Sequence, residues 1–320
     1  MSKGMELAGR NAAAERGERP RELLRRLRQG RTLYLMMLPG ILWFLLFKYG
    51  AMWGVLIAFK DYSPFLGWWE SPWVGLKHFQ NLFGRPDFYL LLKNTLTLAV
   101  LGLVTYLPFT ILLALFLNEV RRKVFKKFVQ TVVYAPHFVS WVVIAGITIL
   151  MFSSSQGFFS TLWGQGAGKP FLLLTKPEYF KLTVVLQQIW KEAGWGSVIF
   201  LSALSGIDPQ LYEAAVVDGA SRLRQFWHIT LVGIRPTIIV VLMIRLGHFM
   251  DVGFEQIFTM LNPLLYQAGD VFDTFAYRKG IQEGLFSYAT AVGLFKSLVA
   301  LALVIGTNWL VKKSGEEGMF

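Results

Sequence analysis

Six ionisable side chains sit inside two stretches of this 320-residue chain that are otherwise mostly apolar: Lys191 and Glu192 in one, Arg245, His248, Asp251 and Glu255 in the other. Carboxylates, an imidazole and cations within a few residues of one another make a set that can move protons, bind an ion or hold a charged solute. A charge at mid-bilayer costs roughly 2.5–3.5 kcal/mol on insertion scales, so each one needs a partner or a wet cavity. At 100° per residue, with Arg245 at 0°, His248 falls at about 300°, Asp251 at about 240° and Glu255 at about 280°, an arc of about 120° on one helix face. Gln187, Gln188, Lys191, Glu192 and Trp195 share an arc of about 140° on another. Two polar stripes are therefore expected, either lining a path for a solute or pairing across helices to hold a bundle together.

Other chemistry finds little support. The chain has no cysteine, and its four histidines, His78, His137, His228 and His248, lack the paired spacing of a metal site. Gly164-Gln165-Gly166-Ala167-Gly168-Lys169 resembles a phosphate loop, but Trp163 stands where the first glycine is required and Pro170 where Ser or Thr belongs, so it reads as a turn. Neither H-E-x-x-H nor G-x-S-x-G occurs.

The elements that must position the stripes follow from composition. With 54 % hydrophobic and 16 % charged residues, the balance is that of a chain solvated by lipid. A basic tail over 1–32 precedes a first apolar span, 33–59, which is longer than the roughly 20 residues a bilayer needs and reads as an uncleaved signal anchor. A loop over 60–93 follows. The core, 94–311, contains five more spans, at Thr95–Leu117, Phe128–Phe152, Leu182–Leu204, Thr237 to about Phe258, and Tyr288–Val311. A short tail, 312–320, ends the chain. With the N-terminus inside, nineteen of the thirty-two basic residues face inward and nine outward, which predicts that both termini are cytoplasmic. The net charge of +12 is then a consequence of topology rather than a sign of nucleic-acid binding.

One inward segment is not an ordinary loop. Residues 205–236 read as helix, glycine turn, helix: Asp208 caps the first helix with Pro209 at its first position, and Leu211, Ala214 and Ala215 share a face. Asp218-Gly219 ends that helix, and Ser221 caps a second running through Phe226, Ile229 and Leu231. Glu213-Ala214-Ala215, Gly219, Ile229 and Leu231 at this spacing resemble the EAA loop of ABC importer permeases. The proline usual after the leucine is replaced by Val232, with Pro236 four residues on. Stretches such as Gly206-Ile207-Asp208-Pro209-Gln210-Leu211-Tyr212-Glu213 and Asp251-Val252-Gly253-Phe254-Glu255-Gln256 are similar to the branch that handles oligosaccharides and polysaccharide fragments.

The resemblance implies an all-α, polytopic membrane protein of six transmembrane helices with the type I ABC importer permease fold. It implies that Glu213, Ala214, Ala215, Asp218, Gly219, Ile229 and Leu231 form a coupling helix seated on a separate ATPase. It further implies a second, different permease subunit, two copies of an ATP-binding subunit that carry ATP and magnesium, and an extracytoplasmic solute-binding protein, with no cofactor on this chain. The setting would be a bacterial plasma membrane. Lys191 and Arg245 would suit an acidic, uronate-type oligosaccharide. Two rivals are an ion-coupled secondary carrier, whose broken, repeated helices the sequence does not display, and a membrane-embedded transferase using His248, Asp251 and Glu255.

Overall fold

The computed structural model of the protein describes residues 30–153, 157–159, 161, 174 and 176–313. The Gly164–Lys169 turn, most of the basic tail and the last seven residues lie outside the described residues. The chain divides into two compact units, residues 1–56 and 57–320. Among the described residues the first unit is helical, and its helix α1 spans Arg31–Phe59, ending in a 3-10 segment that crosses into the second unit.

The second unit is built from helices α2 (Lys77–Gly84), α3 (Pro86–Glu119), α4 (Lys123–Tyr134), α5 (Trp141–Phe152), α6 (Pro177–Ser205), α7 (Pro209–Val217), α8 (Arg222–Gly247), α9 (Phe254–Met260), α10 (Phe272–Tyr277) and α11 (Phe286–Lys313). No strand occurs among the described residues beyond one antiparallel bridge between Lys60 and Trp73. Local chemistry sets several ends. Extended Arg85 and Lys176 each precede a proline at the first helical position of α3 and α6, where the missing N–H costs nothing. The Ser140 hydroxyl accepts from Val143 N to start α5, and Lys312 and Lys313 close α11 at the negative end of its dipole.

Among the described residues four helices are long and apolar enough to cross a membrane: α1, α3, α8 and α11. Lys123–Phe138 and Trp141–Phe152, bent by 98° to each other, make a fifth if counted as one span. The stretch expected as the fourth span, α6, has 29 residues, but its polar stripe leaves it outside the apolar class. Two interruptions depart from the expected spans: the bend at Val139–Ser140, where Ser140 caps α5, and a break from His248 to Gly253, where Gly253 takes φ +91°. The span expected over Thr237–Phe258 is therefore not one helix, and the projection that placed Arg245, His248, Asp251 and Glu255 on a common face does not hold.

Helix α6 makes its most extensive contact with α3, and glycines allow its close approaches. A Cβ on Gly194 would stand 2.1 Å from the Val133 carbonyl oxygen of α4, and one on Gly196 would stand 2.1 Å from the Tyr106 hydroxyl of α3. Three buried clusters fill the unit. Tyr106, Phe200, Leu204 and Ile234 lie toward the hairpin end, Leu98, Val184, Ile257 and Leu265 make a second, and Leu82, Phe88, Phe272 and Tyr288 make a third near the start of α3.

Candidate functional site

The segment from Ser205 to Pro236 forms the expected helical hairpin. The Asp208 carboxylate accepts from Gln210 N at 2.9 Å and Pro209 occupies the first position of α7. At the other end Ala220 N donates to Ala215 O and Gly219 N to Val216 O, the paired bonds of a Schellman cap, with Gly219 at φ +71°. Ser221 then caps α8 by accepting from Arg224 N at 3.4 Å. The arms are tied by Tyr212 Oη and Thr230 Oγ1 at 2.9 Å and by Gln225 Nε2 donating to Ala220 O at 3.0 Å. The second arm does not stop at Pro236. It passes through a π-helical turn, Phe226–Thr230, and continues as α8 into the bundle, so the hairpin and an apolar span are one continuous helix.

Glu213, Ala214, Asp218 and Gly219 are exposed at the tip, and Ala215 is half-buried. Ile229 and Leu231 are half-buried on the shaft, where Leu231 packs against the cluster containing Phe200, Leu204 and Ile234. Val216, Val217 and Leu223 are also exposed, at 63 %, 87 % and 68 %. A groove of about 620 Å³ runs between the end of α3, at Leu112, Phe116 and Glu119, and the hairpin, at Tyr212, Val216 and Arg222. The hairpin thus offers a carboxylate, small residues and an apolar rim, a shape suited to seating in another protein.

The polar stripe of α6 is brought together with residues from four other elements. Gln187 donates to Thr148 Oγ1 of α5 at 2.6 Å and accepts from Gln256 Nε2 of α9 at 2.8 Å. Buried Lys191 donates to His137 O at 2.7 Å and to Val139 O, so it satisfies carbonyls at the bend between α4 and α5, as cations do at helix C-termini. Trp195 stacks on the His137 ring, with centroids 4.9 Å apart and planes within 4°. Glu192 accepts from Arg245 Nη2 at 2.7 Å, and the Arg245 guanidinium lies 3.7 Å over the Tyr106 ring.

A narrow cavity of about 70 Å³ collects Gln188, Arg245, His248 and Asp251, together with Tyr106. Glu255 is not part of it: it opens α9 beyond the break and is exposed. Lys296, a cation inside the last apolar span, is paired within the bundle. Its ammonium meets Asp251 Oδ1 at 2.7 Å and Asp273 Oδ1, joining α11, the broken segment and α10. Sequence reasoning missed Tyr106, Thr148, Gln256 and Asp273. Asp273 and Gln256 lie in short helices whose packing has no periodic signature. The unpaired charge of Lys296 was the one available hint that an acid had to be found for it.

Residues 106–315 match the family described as binding-protein-dependent transport system inner membrane component. The chain belongs to that family. This permease is 50 % identical over 294 residues to protein LplB of Bacillus subtilis strain 168, covering 92 % of each chain. It is 50 % identical over 303 residues to the polygalacturonan/rhamnogalacturonan transport system permease protein YteP of the same organism, covering 95 % of this chain and 94 % of that one. Among solved structures, a chain of a bacterial ABC transporter involved in the import of the acidic polysaccharide alginate superposes with TM-score 0.83 at 42 % identity, covering 91 % of this chain and 99 % of that one. A chain of a bacterial alginate ABC transporter in complex with an alginate pentasaccharide-bound periplasmic protein gives TM-score 0.83 at 41 % identity. The resemblance carried by Glu213 to Leu231 is therefore one of family, and the permease is a multi-pass, all-α membrane subunit of an ABC importer rather than an ion-coupled carrier or a transferase.

Proposed function

We propose that the permease forms one half of the path of an ATP-driven importer of acidic oligosaccharides, in complex with a second, different permease subunit, two ATP-binding subunits and an extracytoplasmic solute-binding protein. Its termini and hairpin face the cytoplasm. The hairpin seats on the ATPase, which binds ATP and magnesium, while Gln188, Arg245, His248 and Asp251 border the path.

The observation that carries the cargo class is agreement between two separate likenesses. One relative is named for polygalacturonan and rhamnogalacturonan, and one solved transporter for alginate, described as acidic. Side-chain geometry alone does not reach this far. Lys191 is bound to carbonyls and Arg245 to Glu192, so neither is an open site for a carboxylate. The hairpin reading is supported by its rigid local caps, its exposed tip and its continuity with α8, which gives a stiff link from the cytoplasmic surface to the cavity at Arg245.

Reconstitution with all partners tests the cargo. ATP hydrolysis and uptake in liposomes are expected with a solute-binding protein loaded with oligogalacturonates. Uptake of neutral oligosaccharides alone would overturn the acidic assignment.

A further inference from the structure

Neither the hairpin nor the intramembrane network uses a cavity of about 620 Å³ at the far end of the second unit. It borders Arg85, just before α3, and α3 has 34 residues, so about 50 Å of helix separates it from the hairpin groove at Glu119. Its walls are the turn at Asp61 and Tyr62, the face of α2 carrying Lys77, His78 and Asn81, and the start of α11 from Phe286 to Tyr288. The volume lies within the range of small-molecule sites.

Two independent features point to a ligand bearing a negative charge and hydroxyl or ring oxygens. The first is electrostatic. The cavity opens on the N-terminus of α11, a 28-residue helix whose first N–H groups lack intrahelical acceptors and carry the positive end of its dipole. Arg85 and Lys77 line the cavity with Asp61, and each cation already holds a carboxylate: Lys77 that of Asp61 at 2.5 Å, and Arg85 that of Asp87 at 3.1 Å in a half-exposed pair that a ligand carboxylate can replace.

The second feature is Tyr288. It is only 7 % exposed, and its hydroxyl is buried in the cavity wall without a hydrogen-bond partner among the described residues. The ring is fixed edge-on to Phe275 at 6.0 Å and packed in the cluster with Phe272 and Val292. A buried polar group left unsatisfied in a native fold calls for a missing partner. Beside it, the edge-to-face pair of Tyr62 and Phe286 offers an apolar surface to the C–H face of a sugar ring.

We propose that this cavity is a subsite for one uronate residue of the cargo, with the carboxylate held by Arg85 and the N-terminus of α11 and a sugar oxygen accepting from the Tyr288 hydroxyl. The identity of the ligand rests on the acidic-cargo reading. The location is additional to it and places a cargo contact at the end of the protein opposite the hairpin.

The test is direct binding of trigalacturonate, with maltotriose as the neutral control, to the complete complex in nanodiscs without its solute-binding protein. Tyr288→Phe keeps the ring and removes only the unpaired oxygen, so the empty complex is expected to unfold at the same or a higher temperature while its affinity for trigalacturonate falls about tenfold. Arg85→Gln is expected to weaken trigalacturonate similarly. Trigalacturonate affinity unchanged in both variants overturns the subsite, and so does absence of binding to the parental complex. In either case, uptake of oligogalacturonates by the full system still decides the cargo separately. Maltotriose binding as tightly as trigalacturonate, with the same loss in Tyr288→Phe, overturns the uronate assignment. Variants that impair docking of the solute-binding protein without changing trigalacturonate affinity would show a protein side chain to be the occupant, and the proposal would fail.

Discussion

The hairpin at Ser205–Pro236 and the polar network inside the bundle are made of similar residues under opposite rules. In the hairpin the bonds that set the shape are short in sequence: Asp208 to Gln210, Ala220 to Ala215, Ser221 to Arg224, and at most Tyr212 to Thr230. In the bundle the partners are remote: Glu192 with Arg245, Thr148 with Gln187, Gln187 with Gln256, and Lys296 with both Asp251 and Asp273. Water solvates any hairpin group that loses its partner, whereas in the bundle most stranded groups are largely shut off from it. The hairpin is therefore where substitutions change function and leave the protein standing. The bundle is where they threaten the protein first.

The largest expected effect follows from the bundle side of this contrast. Lys296→Met strands Asp273 beside Asp251, and removing one partner of a buried pair costs about 3–5 kcal/mol. The Asp251 side chain is 63 % exposed, so the loss is expected at the low end of that range. Membrane levels and the midpoint of thermal unfolding in detergent should both fall. Adding Asp273→Asn should recover part of the loss, because the remaining acid has access to solvent. Equal stability of Lys296→Met and the parental protein would mean that the triad is not formed.

On the hairpin side the expected loss is of transport alone. Gly219→Pro forbids the positive φ that turns the chain, and it removes the N–H that bonds Val216 O. Glu213→Lys reverses the charge on the exposed hairpin surface proposed to seat on the ATPase, where a carboxylate favours a basic contact. Both variants should insert at normal levels and unfold near the parental temperature, with uptake abolished and the ATPase either released or hydrolysing without transport. Parental uptake by both variants, measured with all partners present, would remove the coupling assignment.

The same contrast explains what was legible in the sequence. Asp208-Pro209, Asp218-Gly219 and Ser221 announce helix ends by their own side chains and backbone, so the turn and its caps could be read to within a residue or two, whereas the expected end at Pro236 does not exist because the second arm runs on as α8. The apolar runs of α3 and α11 were equally plain. What failed depended on tertiary structure. A constant 100° per residue assumes an unbroken helix, and α8 ends at Gly247, so Glu255 was grouped with residues from which the break separates it. Lys191 was a good candidate for a solute ligand by position, but the carbonyls exposed by the 98° bend claim it; the local marks of that bend, Pro136 and the capping Ser140, lie inside an apolar run that reads as one span.

A smaller effect should follow at the junction of α5, α6 and α9. Gln256→Leu removes the amide that donates to Gln187 Oε1 and to Val184 O; Val184 O keeps its place in the α6 ladder, but the buried Gln187 oxygen loses this donor. The expected destabilisation is about 1–3 kcal/mol. Replacing Gln187 by leucine as well should cost less than the two single losses added together, because the pair shares one bond, and a double-mutant cycle in thermal unfolding measures that coupling. Strict additivity would indicate that the two amides do not interact.

The smallest effect is expected where an ion pair of the same chemistry meets water. Asp61, in the loop before α2, has its carboxyl held below the usual carboxylate range, first by the hydrogen bond from Lys77 and then by the charges of Lys77 and His78, against a counteracting desolvation. A carboxyl depressed in the folded state stabilises the fold above its unfolded pKa, and that contribution is lost as pH falls through the folded value. The window is therefore acid, beginning near pH 4 and extending below it, and nothing should change between pH 6 and 8 on account of this group. Asp61 and Lys77 are 39 % and 52 % exposed, and pairs of this kind contribute at most about 1 kcal/mol. Asp61→Asn should flatten the acid side of the stability profile slightly and leave the neutral side nearly unmoved. If it instead lowered stability as much as Lys296→Met, exposure to water would not be what separates the two kinds of pair, and the contrast between hairpin and bundle would need another cause.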